Sequence, residues 1–346
     1  MQPIQLSYIL PMYNVQGFLD TCLHSLVNQG LARGTFEIIL VNDGSKDQTL
    51  AVAERWARAW PEIKIIDQKN GGQAVARNAG MRLATGEYLW FIDSDDFILD
   101  GVVPTLLKAA KEAQVDVLTF ELCQLPVGTP PAAKFNPHLQ AEPAVNGIKF
   151  IEKHNYNNGP WLFIARKAFL QEIGLVYKEG RRCEDGMFTM ETLCRVSRVT
   201  HYPSPAYVYV RHAASITKSR DPEIYRWWLE GFAHAIEFFN GLIAEQELNP
   251  LATPGFLRRL KSRRDSYTMF YCLRLLQSTQ TLGEIIGTHR ELRAKKWIPL
   301  NDLSLQEYPG LKWRGLRYLV GHTWIFVPAV LTLKAWRSVR AAVSRS

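Results

Sequence analysis

The stretch LSYILPMYNVQGFLDTCLHSLVNQ, residues 6–29, holds one strand and one helix in the order that decides the fold. Leu6-Ser7-Tyr8-Ile9-Leu10 is an apolar run of strand length, and Pro11 is expected to stop it. From Val15 to Gln29 the period changes: Phe18, Leu19, Cys22, Leu23 and Leu26 share one face of a helix. The same order follows downstream. Residues 36–41 (FEIILV) predict a second strand, and Asp47 is placed to cap a helix that runs through Trp60. Residues 63–66 predict a third strand, and Gly72 precedes a helix to about Leu83. Residues 87–92 predict a fourth strand, which ends in Asp93-Ser94-Asp95-Asp96. Such alternation means an α/β fold, a mostly parallel sheet with helices on both faces. Ligands of these sheets bind beyond the carboxyl ends of the strands. The polar residues gather there: Tyr13-Asn14, Asn42-Asp43-Gly44-Ser45, Asn70-Gly71-Gly72 and the acidic cluster at 93–96.

Further along, residues 121–145 hold five Pro and little periodicity, which predicts a long irregular loop. Residues 161–165 predict a strand, 184–195 a helix, and 199–202 and 207–211 two short strands. From Asp221 the pattern is helical, with breaks near Pro250, Pro254, Pro299 and Pro309. We find no internal repeat.

The chain has 346 residues, 47% hydrophobic and 21% charged, a globular composition that excludes a disordered, collagenous or disulfide-stapled chain. Its five Cys are spread without a CxxC pair, which argues against a disulfide framework or zinc site and for a reducing compartment. The start lacks a basic segment followed by an apolar run, so a cytoplasmic location is expected. Charge is uneven: residues 251–346 hold 17 Lys/Arg and 5 Asp/Glu, the rest 24 and 28. A basic C-terminal third suits an anionic surface.

Three carboxylates within residues 93–96 repel one another unless they are solvated or a cation joins them. Mg²⁺ or Mn²⁺ would take one or two of them together with phosphate oxygens. The alternative is that Asp95 or Asp96 caps a helix beginning near Gly101. Asp43 can accept a ring N–H of a base, or serve an ordinary turn. Arg77, after the Gly71-Gly72 turn, suits an anionic partner or a surface ion pair. Glu184-Asp185 opens a helix, where it could cap or act as a base.

As an ordered set, ILPMYNVQGFLDTCLHSLVNQ, FEIILVNDGSKDQT and NGGQAVARNAGMRLATGEYLWFIDSDD resemble glycosyltransferase family 2, the inverting transferases of the GT-A fold. The resemblance continues through Gly159-Pro160-Trp161, Arg182-Cys183-Glu184-Asp185 with Phe188, and Tyr209-Val210-Arg211 with Ser215-Ile216-Thr217, covering roughly residues 4–220. It implies a catalytic domain over 1–220, with a nucleotide-sugar half at about 1–100 and an acceptor half at about 101–220, ahead of a helical basic region at 221–346. It implies transfer of a hexosyl or N-acetylhexosaminyl group from a nucleoside-diphosphate sugar to a glycan or lipid-linked saccharide. UDP is the expected nucleotide by family frequency, although Asp43 suits uracil, thymine or guanine. By position, Pro11, Tyr13, Asn14, Asp43, Arg77, Asp93 and Asp95 would meet the nucleotide. Asp95 and Asp96, from the cluster that carries the DXD motif (Asp93-Ser94-Asp95), would hold Mg²⁺ or Mn²⁺. Asp185 would be the base, kept ionised by its helix N-terminus. Trp161, Glu184 and Arg211 would stand on the acceptor side, Arg211 either near phosphate or in a structural ion pair. His212 is a weaker candidate contact. Asn42 departs from the pattern, since many relatives carry a second Asp there.

Residues 316–333, LRYLVGHTWIFVPAVLTL, are the most apolar stretch, flanked by Lys312, Arg314 and Arg317 before and Lys334, Arg337, Arg340 and Arg345 after. A spanning helix needs about 20 apolar residues. This one is interrupted by His322, Thr323 and Pro328, so a segment lying in the interface at the inner face of the membrane fits better. The alternative is a packed helix with solvated ends. No nucleic-acid-binding motif accompanies the charge. A sugar nucleotidyltransferase would need a Gly-rich basic loop after the first strand, and Pro11-Met12-Tyr13-Asn14 is not one. A non-catalytic glycan-binding scaffold would have no use for intact Asp95, Asp96 and Asp185.

Overall fold

The computed structural model describes residues 3–154, 158–212, 222–278 and 280–343. The chain divides into two compact units, Met1–Ser215 and Ile216–Ser346. The motif Ser215-Ile216-Thr217 and the terminal Arg345 lie outside the described residues.

The strands of the first unit are β1 (Leu6–Met12), β2 (Phe36–Asp43), β3 (Ile63–Gln68), β4 (Tyr88–Phe91), β5 (Phe97–Ile98), β6 (Val117–Pro126), β7 (Phe163–Arg166) and β8 (Val199–Arg211). Its helices are α1 (Leu19–Val27), α2 (Thr49–Ala59), α3 (Gln73–Leu83), α4 (Val102–Glu112), α5 (Gly147–Lys153), α6 (Lys167–Glu172) and α7 (Glu184–Arg195). One sheet joins all eight strands in the order β3-β2-β1-β4-β7-β6-β8-β5. The first four are parallel. β7 then runs antiparallel to both β4 and β6, β8 parallel to β6, and β5 antiparallel to β8. The sheet is parallel in its first half and mixed beyond β4.

Four local expectations are corrected. Pro11 does not stop β1, which pairs with β2 through Met12. Its missing N–H falls on the side where the β4 ladder has already ended, and its carbonyl accepts the Ser94 hydroxyl at 2.8 Å. Residues 121–126 belong to β6 rather than to a loop, because a register shift at Phe120 and Glu121 lets β6 follow β8 to its end. The same pairing makes 199–211 one strand instead of two. The N-cap of α2 is Gln48; Asp47, one residue earlier, still accepts the Thr49 amide at 3.0 Å.

β1, β2 and β4 are buried throughout, which explains their unbroken apolar runs. Trp90 is fully buried, stacked on Tyr8 at 6.1 Å and edge-on to Phe120 at 4.9 Å. Its indole N–H donates to the Trp161 carbonyl at 2.9 Å, so the indole nitrogen is paired despite its burial. Burial of each such ring contributes about 1.5–3 kcal/mol. α3 lies against β1 at Gly80, where a Cβ would stand 2.4 Å from Ile9 Cγ2.

The second unit is helical: α8 (Pro222–Glu247), α9 (Pro254–Gln277), α10 (Leu282–Ala294), α11 (Leu311–Gly321) and α12 (Thr323–Val343). Thr253 caps α9 through the Phe256 amide, with Pro254 at the first helical position. Thr281 and Glu284 form a capping box on α10. Leu229, Leu275, Ile285, Phe326 and Val330 share a buried core. Asp265 is fully buried, paired with Arg264 at 2.7 Å and accepting the Asp302 amide at 2.8 Å. The apolar stretch at 316–333 divides at His322, where α11 ends. Among the described residues no helix is long and apolar enough to cross a membrane. All five cysteines are free thiols.

Candidate active site

The carboxyl ends of β1, β2, β3 and β4 form one rim. Asn14 adopts φ 54°, a left-handed conformation that Asn tolerates. From there its amide donates to Ser45 Oγ at 3.1 Å, and its Oδ1 accepts the Lys46 amide at 2.8 Å, tying the first loop to the second. Tyr13 projects beside it, 46% exposed, while Pro11 remains in the sheet.

Asp43 is buried and held by three donors. Oδ1 accepts the Gly71 amide and Gln68 Nε2, each at 2.8 Å; Oδ2 accepts the Gly72 amide at 2.8 Å. A carboxylate offers about four lone-pair sites, so one remains for a ligand N–H. Gly44 permits this turn: its φ is 73°, and a Cβ there would meet the Asn70 amide nitrogen at 2.9 Å. Asn42 donates to Asp67 at 2.7 Å, a bond that a second Asp in this place could not make.

Arg77 is not on the rim, nor in a surface ion pair. It is 2% exposed, and its guanidinium bridges Asp93 at 2.9 Å and Glu184 at 3.0 Å. Its expected role as a nucleotide contact does not suit this burial, with one bond from each terminal nitrogen made to a carboxylate inside the protein. The bridge joins the end of β4 to the start of α7, 107 residues apart in sequence.

The three aspartates of the cluster do different things. Burial raises the Asp93 carboxyl, against the pull of Arg77. Asp95 stands outward, its side chain 36% exposed, with Oδ2 2.8 Å from His212 Nε2 at the end of β8. Asp96 turns inward: Oδ2 accepts Tyr207 Oη and Oδ1 the Val210 amide, each at 2.7 Å. Burial, then the charges of Asp93 and Asp95, push it up to about 8. With both oxygens engaged, Asp96 clamps β8 beneath the site rather than joining Asp95 as an exposed ligand, and neither caps α4, whose N-cap is Gly101.

α7 begins at Glu184, preceded by Cys183 at φ 60°, a strained conformation for a side chain of this kind. Asp185 Oδ1 accepts the Gly186 amide at 2.7 Å. Burial and then the Glu184 charge raise the Asp185 carboxyl above the ordinary range, outweighing Arg77. The expectation that the helix N-terminus keeps it an ordinary ionised carboxylate is corrected by that balance. Trp161 stacks on Tyr207 at 4.9 Å, and Arg211 ends β8 with an exposed side chain. Sequence reasoning undervalued His212 and missed Tyr207. The sequence offered only their place at the start of the expected strand 207–211 and just after its end.

Among the described residues no group of three or more His, Cys, Asp or Glu is disposed to hold a metal ion alone. Mg²⁺ and Mn²⁺ in phosphate sites need fewer, one or two carboxylates beside phosphate oxygens. The outward Asp95 carboxylate is one such group, and the His212 imidazole lies 2.8 Å from it.

Residues 7–172 match the family described as glycosyl transferase family 2. The chain carries a glycosyltransferase family 2 domain. It is 30% identical over 217 residues to the uncharacterized glycosyltransferase EpsJ of Bacillus subtilis, a match spanning 61% of this chain and 62% of EpsJ. The chain thus accounts for less than two thirds of that relative's length. TarS of Staphylococcus aureus, named a poly(ribitol-phosphate) β-N-acetylglucosaminyltransferase, is 27% identical over 208 residues, 60% of this chain and 35% of TarS. The structure of TarS residues 1–349 with UDP-GlcNAc superposes with a TM-score of 0.55 at 23% identity, covering 79% of this chain and 86% of that one. The mannosyltransferase PcManGT of Pyrobaculum calidifontis, solved with GDP-Man and Mn²⁺, gives 0.53 at 17% identity over 98% and 89%. At these identities the structures speak for the fold, and the family 2 domain has the GT-A architecture, followed by a helical C-terminal region.

Proposed function

We propose that the chain transfers a sugar from a nucleoside-diphosphate sugar, UDP in the first instance, to a hydroxyl of a glycan or lipid-linked saccharide in cell-envelope biosynthesis. The observation that carries this reading is the Arg77 bridge, which sets the acidic end of β4 beside Glu184-Asp185. The leaving diphosphate and the proton acceptor need to be that close, and on opposite faces of the sugar.

Asp43 would accept the ring N–H of the base through its remaining lone pair, with Tyr13 and Asn14 beside it and Asp93 and Asp95 toward the ribose and diphosphate. A bound Mg²⁺ or Mn²⁺, held by Asp95 and His212, would neutralise charge developing on the diphosphate. The acceptor oxygen forms the new bond to the anomeric carbon while its proton passes to Asp185. The bond from that carbon to the phosphate oxygen breaks, and the electron pair leaves with the nucleoside diphosphate. Attack opposite the leaving group inverts the centre. A carboxylate raised toward neutral pH suits this base. Trp161, Glu184 and Arg211 would frame the acceptor side.

We place the protein peripherally at the inner face of the membrane. Trp324 is 71% exposed and Leu331 is exposed on α12, while Leu311 and Tyr318 are exposed on α11 beside Lys312, Arg314 and Arg317. The amphipathic surface supports contact with anionic lipid.

The transferase reading is tested by incubating purified protein with UDP-sugars and Mn²⁺ and measuring UDP release. Asp185→Asn should lower the rate by about 10²–10⁴-fold while UDP affinity holds. Equal rates in the two proteins would refute Asp185 as the base, and no UDP release from any donor would refute the activity.

A further inference from the structure

A cavity of about 390 Å³ lies in the first unit, within the roughly 300–1,000 Å³ of small-molecule sites. It opens where β7 leaves β6. Thr119 and Phe163 are the last residues those strands pair, and beyond them Glu121 and Leu122 follow β8. Because β7 runs antiparallel beside β4, its start at Phe163 stands at the carboxyl end of β4, the edge that carries Asp93. α7 spans the two places. Asp185 is in its first turn, and Thr189 and Leu193, four and eight residues on, line the cavity. That spacing keeps side chains along one helix face.

The lining is mixed: Phe150, Phe163 and Leu193 are apolar, and Thr119, Glu121 and His201 are polar. The His154 ring, also in the lining, stacks on Phe150 at 4.5 Å and lies 5.0 Å from His201. Thr119 Oγ1 and His201 Nδ1 are 2.9 Å apart. Burial, then the neighbouring His154, push His201 down to about 4, so its imidazole is neutral at pH 7. Among the described residues no Lys or Arg lines the space. A lining that combines aromatic rings with a hydroxyl, a carboxylate and a neutral imidazole suits a ring with an apolar C–H face and hydroxyls at its edge. It does not suit a phosphate.

We propose that this cavity is an acceptor subsite that holds an uncharged pyranose ring of the acceptor glycan. The inference deepens the transferase reading and rests on it for the word acceptor; binding of the ring can be measured without any donor.

The probes are the p-nitrophenyl β-glycosides of glucose, galactose and N-acetylglucosamine. Saturation-transfer NMR is run on the full chain, on Leu122→Trp, which adds bulk to the lining, and on His201→Phe, which keeps an aromatic ring but removes the nitrogens. UDP is titrated into the same samples. We expect sugar-ring saturation in the wild type. Affinity should weaken about tenfold or more, about 1.4 kcal/mol, in at least one variant that keeps its circular dichroism and its UDP affinity. Unchanged affinity in both variants, or no sugar-ring saturation with any glycoside in the wild type, overturns the subsite. Glycoside binding in a wild type that ignores UDP would count against the donor reading and leave the subsite standing.

Discussion

Arg77 is the residue on which the site turns. A buried guanidinium between two carboxylates holds its place only while all three are present. Arg77→Met should therefore cost about 3–5 kcal/mol in urea unfolding, because Asp93 and Glu184 would face each other uncompensated; a loss below about 1 kcal/mol would sink the bridge. Asp185 makes a second prediction. A base works deprotonated, and a raised carboxyl loses its proton only at higher pH. As pH falls, kcat/KM should decline from a point well above the ordinary carboxylate value of about 4. A pH–rate profile with its acid limb at about 4 would contradict this. The positions of Asp43, Asp95 and Asp185 were legible in the sequence, since Asp43 ends a strand, Asp95 follows one and Asp185 stands in the first turn of a helix. Arg77 and Asp96 were legible only as residue types. Whether an arginine faces a ligand or a buried ion pair depends on what is folded over it, and here that is α7 from far along the chain.

Among the elements, α3 and α7 set the geometry. Gly80 lets α3 sit directly on Ile9, and Arg77 lies one turn earlier on the same helix. Gly80→Ala should overpack that contact, costing about 1–3 kcal/mol and lowering turnover as Arg77 shifts. Gly17→Ala, with open space around its Cβ, is the control expected to leave both unchanged. Urea melts with UDP-release rates would show it, and equal stability of the two variants would refute the argument. Strand and helix periods gave α3 and α7 nearly to the residue. They failed for 121–126 and for the joined β8, since those residues form strand by pairing with each other across some eighty positions, a cause that no local period records.

At the scale of the molecule, net positive charge is concentrated in the C-terminal third, where Leu311, Tyr318, Trp324 and Leu331 are exposed. Replacing Trp324 and Leu331 together by Glu should weaken binding of the full chain to anionic phosphatidylglycerol vesicles about tenfold or more in sedimentation, and added salt should weaken the wild type. Unchanged binding would rule out this surface as the anchor. The sequence by itself determined the alternation of strands and helices, the polar rim at the strand ends and the split in charge, because each is written in neighbouring residues. Only the tertiary structure decided which aspartate points out and which is clamped inward, that Arg77 is buried, and that a cavity opens where β7 parts from β6. These depend on groups brought together from distant positions, whose contacts and desolvation exist only after folding.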